Sequence, residues 1–403
     1  MRILLASIYP YIYVLLFLSI PFDNYVRILP NILMGILVVT FPFIIKREHF
    51  TKLNKTPTLI FAAFCIYLVI NAAIFNRLEE DFVIIKKVLL SLGFVLLYIP
   101  IRDSKKINLA IVFSSLAIIL FSVVNIFIII NTSEDIVLGF SRQVIEALLI
   151  DRIYLGFIAI LSILISYQAL KRKFHPENKY HLLIIIINVL FIFLMVSKIA
   201  VIILGLLLLT RQLYGPKKWI RFPIVLVILV GLSALILSST KVSASSEDTS
   251  KISFFERTLT WELRTEVWKC VDRINRNEGF ILYGFGFDET KNKLTACYSD
   301  RIDDPVKKDE FVESRYNTHN QFVDIYFNSG FIAIALFVLF LLLVFFKNRR
   351  KFMPTAFLIV LVSYCMVENV FHRQIGSYYV GFILIVMLIQ NQLSENNKEK
   401  NDE

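Results

Sequence analysis

Runs of about 18 or more apolar residues recur from one end of this chain to the other, and each is long enough to span a bilayer as a helix. Lipid offers a backbone no hydrogen bonds, so a run of this kind crosses it as a helix that satisfies its own amides. The chain is therefore read as all-α, a polytopic membrane protein. Of its 403 residues, 57% are hydrophobic and the mean hydropathy is +0.68, more apolar surface than a soluble domain of that size needs. The formal charge of +11 points away from nucleic acid, because most of the basic excess sits in short loops between apolar runs. That distribution is what the positive-inside rule expects of cytoplasmic loops.

The rule orders the spans. The first, about 3–20, follows Arg2 and has no small-residue cleavage site after it, so it is read as retained. Spans two to six fall at about 28–45, 57–75, 82–100, 107–130 and 153–170. Basic loops at Lys46-Arg47 to Lys55, at Arg102 to Lys106 and at Lys171-Arg-Lys173 go inside. Residues 180–211 are long for one span and short for two. Basic clusters on both sides predict two crossings that turn at Ser197-Lys198; a single tilted span is the alternative. Span nine is about 222–239, and spans ten to twelve are about 321–346, 352–370 and 377–391. The outcome is about twelve spans over 1–239 and 321–391, one large external loop over 240–320 containing short helices, and a cytoplasmic tail over 392–403.

That loop carries thirteen basic and fifteen acidic residues, too balanced for a polybasic cytoplasmic segment. A helix near its middle would put Trp261, Arg264, Trp268 and Val271 on one face, with a cation inside an apolar stripe. Gly284-Phe-Gly286 lacks the third glycine and the strand–helix unit of a dinucleotide fingerprint, and a tight turn is its default. Cys270 and Cys297 are either bridged or two free thiols; Cys65 and Cys365 lie in spans as packing residues.

The outer face collects Lys86, Lys87, Arg142, Arg152, Lys198, Arg257, Arg264, His319 and Arg373, with the carboxylates Glu146, Asp151 and Glu368. Arginine suits forked bonding to phosphate oxygens, and histidine accepts a proton near neutral pH. Together they suit an enzyme that holds a lipid-linked pyrophosphate and activates a hydroxyl. Simpler roles stand beside these. Lys86 and Lys87 snorkel or attract a lipid headgroup, Arg264 pairs with Glu262 or Glu266, and Glu368 pairs with Arg373. No carboxylate–histidine set has metal-ligand spacing.

The order of these pieces resembles the O-antigen ligase and polymerase superfamily of bacterial membrane glycosyltransferases. The pieces are the late external loop, Arg264-x-x-x-Trp268 about twenty residues before Gly284-Phe-Gly286, and His319-Asn320 followed by Gly330. Ser197-Lys198 and Glu368-x-x-x-x-Arg373-Gln374-x-Gly376 complete them. Lys198 departs from the arginine usual in that turn. The resemblance implies an inner-membrane protein with its active site at the periplasmic face and a donor glycan on undecaprenyl pyrophosphate. It implies a lipid A core or glycan acceptor, inversion at the anomeric carbon, and neither metal nor other cofactor. His319 would act as base with Arg264. Arg152, Arg264, Lys198 and Arg142 would hold the pyrophosphate, and Asn320, Trp268, Gly284, Gly286, Glu368 and Arg373 would support them. Ligase is the first expectation; a polymerase or a protein O-oligosaccharyltransferase would use the same donor. A lipid-linked glycan transporter is the alternative of another class, disfavoured because ionisable residues concentrate at the outer face.

Overall fold

A computed structural model describes residues 2–101 except 24 and 27, then 104–132, 148–171, 175–195, 197–214 and 261–389. The described residues are helical and contain no strand; Leu53 and Ile389 form one isolated bridge. Among the described residues eight helices precede the large loop: α1 (Arg2–Ser19), α2 (Ile28–Ile44), α3 (Lys55–Ile74), α4 (Leu78–Tyr98), α5 (Ser104–Thr132), α6 (Arg152–Ala169), α7 (Asn178–Leu194) and α8 (Lys198–Gln212). The loop contributes α9 (Trp261–Glu278), α10 (Phe287–Arg301) and α11 (Pro305–Ser314). The chain then returns through α12 (Gln321–Asn348), α13 (Phe352–Val367) and α14 (Gln374–Leu388). Five of these, α1, α3, α5, α6 and α12, are long and apolar enough to cross a membrane. The span expected at about 222–239, Arg142, Glu146, Arg257 and the tail lie outside the described residues.

Packing along the bundle is aromatic. Tyr13, Phe17, Phe94, Phe357 and Phe382 form a chain of ring contacts between α1, α4, α13 and α14. The Tyr9 and Tyr13 hydroxyls donate to the carbonyls of Leu97 and Phe94, so neither is left bare in an apolar interior. Ser115, Asn188 and Ser162 link α5, α7 and α6 by hydrogen bonds, the polar tie expected where helices lack a hydrophobic driving force to associate in lipid. Gly381 lets α14 approach α4 closely: a Cβ there would lie 2.8 Å from Phe94 Cβ.

The segment 180–211 is two helices, broken at 195–197. Asn188 of α7 reaches Ser162 and Asn178 reaches Lys171, so α7 runs back along α6. At the other break, Ser197 and Ala200 lie against Gly156 at the start of α6, and Arg211 bonds to Tyr167 near its end. So α8 runs with α6, and the segment traverses the bundle twice, as the basic flanks predict. Basic residues gather at one end of the bundle: Lys46 and Arg47, Lys105 and Lys106, Lys171, Arg211, and Lys347 to Lys351. The loop helices α9–α11 sit at the other end, where α3, α6, α8 and α12–α14 present Asn71, Arg152, Lys198, Gln321, Glu368 and Arg373.

The loop body has its own small core of Val267, Cys270, Ile274, Leu294, Tyr298 and Phe311. Cys270 and Cys297 are bridged, joining α9 to α10 across 27 residues. A crosslink of that span stabilises by about 3 kcal/mol, chiefly through the unfolded chain. The buried stripe of α9 is Arg264, Val267, Cys270 and Ile274. Trp268 stands at its flank, half exposed, rather than within it as the periodicity suggests. Burial of the bridged cysteine turns the helix one position from the expected face.

Candidate active site

The loop is fastened to the bundle by backbone. Helix α12 breaks at Gly330, whose φ of 83° belongs to glycine. The break frees carbonyls and an amide, and the loop takes them: Phe285 and Gly286 donate to the carbonyls of Phe327 and Asn328, and Phe331 donates to that of Ile281. A Cβ on Gly284 would lie 2.4 Å from the Asn328 carbonyl, and one on Gly330 would lie 2.1 Å from that of Leu282. Arg77 closes the clamp. It donates to the Gly284 carbonyl at 3.2 Å and to Asn71 Oδ1 at 2.8 Å, while Asn71 donates to the Tyr283 carbonyl. Asp81 accepts from the Phe287 amide at 2.8 Å. Gly284 and Gly286 are thus close-approach positions in a docking joint, and Arg77, Asn71 and Asp81 are partners that spacing alone does not reveal.

Docked there, the loop brings the anticipated residues together. His319 precedes α12, in a left-handed backbone with φ of 45°. Its amide donates to Asn317 Oδ1, and Asn320 caps α12 by accepting from the amides of Phe322 and Val323. Trp268 donates its indole N–H to the Thr318 carbonyl. Asn320 and Trp268 therefore hold the turn that carries His319. His319 Nδ1 lies 3.6 Å from Glu368 Oε2; at that distance it is a charge contact, and Nδ1 is buried without a hydrogen bond among the described residues.

Glu368 does not pair with Arg373 as the turn suggested. Arg373 reaches across to Asp151 of the α6 cap, Nη1 to Oδ2 at 3.1 Å. Burial pushes the Glu368 pKa up, but His319, Arg264 and Arg373 around it outweigh burial, and the net direction is down. Arg264 is 7% exposed, and its acidic neighbour is Glu368, not Glu266, which instead binds Lys269, Arg301 and Lys307. Burial lowers the Arg264 pKa, Glu368 opposes this, and Arg152 adds to it. Arg152, at the start of α6, also stands within electrostatic reach of Lys198 at the start of α8. Among the described residues Arg264 has no ion pair within 4 Å, and Glu368 is the acidic group that partly offsets its burial. Arg264 stands beside the histidine–glutamate pair, Arg152 next to Arg264 and Lys198 next to Arg152, a row of cations that can hold an anion alongside a pair that can take a proton.

Lys87 neither snorkels nor faces lipid: its Nζ donates to the His372 carbonyl, and Lys86 is exposed. Beside the cluster lies a second polar group that the sequence did not reveal. His372 Nε2 meets Asp324 Oδ2 at 2.9 Å, and Asn369 and Gln321 donate to the same carboxylate. Its only sequence signal is a charged residue one turn into a long apolar span.

The comparisons with known proteins agree with the geometry. Residues 181–338 match the family model described as O-Antigen ligase, a stretch that contains Lys198, Arg264 and His319. No curated protein matches the chain.

Proposed function

With the O-antigen ligase and polymerase superfamily as the chain's family, we propose that it is an O-antigen ligase-like glycosyltransferase. It moves a glycan from undecaprenyl pyrophosphate onto an acceptor hydroxyl, lipid A core first among candidates. The observation that carries this is one cluster, the His319–Glu368 pair beside Arg264, continued by Arg152 and then Lys198. It lies at the end of the bundle opposite the basic turns, which supports reading it as the periplasmic face of an inner-membrane protein. The Cys270–Cys297 bridge suits that oxidising side.

In the mechanism, Arg264, Arg152 and Lys198 bind the donor pyrophosphate, with Arg142 as a further cation. Lys198 supplies a point charge where a fork would be arginine's contribution. Glu368 favours the His319 tautomer protonated at Nδ1, which leaves the Nε2 lone pair for the acceptor proton. The acceptor oxygen attacks the anomeric carbon as its proton passes to His319. The bond from that carbon to the phosphate oxygen breaks with inversion, and undecaprenyl pyrophosphate departs with the electron pair. The cations stabilise the charge that grows on it, and neither a metal nor another cofactor is required in this scheme.

A polymerase would run the same step onto a lipid-linked glycan, so the acceptor decides between them. Purified protein in nanodiscs is supplied with undecaprenyl-pyrophosphate-linked repeat units, with and without lipid A core, and products are resolved by mass spectrometry. Product that requires lipid A core is expected. Longer lipid-linked chains without it would make the protein a polymerase, and no product would return weight to lipid transport. His319→Ala is expected to lower transfer on the order of a hundred- to ten-thousandfold.

A further inference from the structure

The buried carboxylate of Asp324 has no part in that mechanism, yet it is tied to Asn369 beside Glu368 and, through Asn369 and His372, to Thr318 and Asn317 just before His319. We infer that Asp324, with His372 bound to it, is a positioning residue that sets the geometry of His319 against Glu368. The inference rests on the role proposed for His319.

Asp324 is 2% exposed, in the first turn of α12, where the helix N-terminus favours a negative charge. Two routes leave it. Along one, Oδ1 accepts from Asn369 Nδ2 at 3.0 Å; Asn369 directly follows Glu368 and bonds Thr318, which directly precedes His319. Along the other, Oδ2 meets His372 Nε2, and His372 Nδ1 makes a long 3.5 Å contact to Asn317 Nδ2. Asn317 Oδ1 in turn accepts from the His319 amide at 3.1 Å. Residues on both sides of the pair are thus held from a single carboxylate, and His319 itself keeps a left-handed backbone that a free turn would relax. With Nε2–H given to Asp324, the Nδ1 of His372 accepts from the Asn317 amide. That fixes which end of the amide faces His319. An uncharged amide at 324 cannot receive all three donors, so the turn loses its reference point.

The test is Asp324→Asn, which keeps the side-chain shape, and His372→Gln, which keeps a donor toward Asp324 if the first variant fails to accumulate. Transfer is expected to fall on the order of ten- to a hundredfold in kcat, the cost of misplacing a reacting group by about an ångström. KM for the lipid-linked donor is expected to stay within about twofold. In a His319→Ala background either substitution is expected to cost nothing further, because its effect runs through His319. Losses that multiply in that background, or a kcat close to wild type, would overturn the inference. A second readout is independent of turnover. In spectra of nitrogen-labelled histidine, Asp324→Asn is expected to move the signals of His372 and His319. His49, His175 and His181, all at the other end of the bundle, should stay put. An unmoved His319 signal would sink the inference even if wild-type protein transfers no glycan, the result that would instead remove the proposed function.

Discussion

Two polar assemblies stand side by side at the loop end of the bundle, and they differ in how their charge is balanced. In the joint, Arg77 meets the carboxylate of Asp81 at 3.9 Å and donates to Asn71 and Gly284, and the broken turn of α12 is completed by loop backbone, while Arg77 Nε and the Asn328 side chain are buried without a hydrogen bond among the described residues. In the neighbouring cluster one carboxylate, Glu368, faces His319, Arg264 and Arg373, and Arg264 has no ion pair within 4 Å among the described residues. Buried charge is tolerated when it is paired and costly when it is not. The joint therefore balances its own charge, and the cluster carries an excess of cations that suits an anion.

The contrast predicts opposite phenotypes. On the cluster side, Arg264→Ala is expected to lower transfer by about a hundredfold or more, since in the proposed mechanism it removes stabilisation of the departing pyrophosphate. The thermal midpoint of the unliganded protein should fall less than it does for Gly284→Ala, because relief of a guanidinium desolvated by burial offsets part of what Glu368 and the packing lose. A large fall in midpoint with unchanged kcat would move Arg264 into the structural class. On the joint side, Gly284→Ala is expected to destabilise by more than about 2 kcal/mol, given φ of 79° and a 2.4 Å approach to Asn328. Thermal unfolding in detergent reads this directly, and wild-type stability there would show that the joint yields.

The smallest expected effect is on pH dependence. Glu368 has a folded-state pKa below its ordinary value, so its contribution to stability is present above that value, about pH 4.3. The contribution is lost as pH falls from there through the lower folded value. Stability of the wild type should therefore drop across that acid window, and Glu368→Gln should flatten the slope. Identical slopes in the two proteins would mean that His319 and the arginines do not hold the carboxylate.

Much of this molecule is legible in the sequence, for physical reasons that also explain the gaps. Spans are long, local and set by bilayer thickness, so the expected bounds of about 28–45 and 153–170 meet helices at Ile28–Ile44 and Arg152–Ala169. The turn that divides 180–211 into two helices follows from charge in adjacent loops alone. Arg152 and Lys198 stand out as charges at the ends of apolar spans, Arg264 as a cation inside an apolar stripe, and His319 as a titratable group at the entry to a span. What stayed hidden is pairing across distance. Nothing local tells Glu368 to choose His319 over Arg373, or joins Asn71 to Tyr283 over 212 residues. Asp324 is masked by the apolar run around it, and the face that α9 buries includes Cys270, whose partner Cys297 lies 27 residues on and is invisible to helical spacing.

The break at Gly330 has a consequence for exchange between relatives. Because the loop donates the amides that finish a membrane helix, neither part is a module. A chimera that imports a foreign outer segment without its own α12 inherits an unfinished helix. One that imports the pair together carries its joint along. Diversity in what this protein recognises is therefore expected to arrive as whole loop-and-helix cassettes, rather than as loops alone.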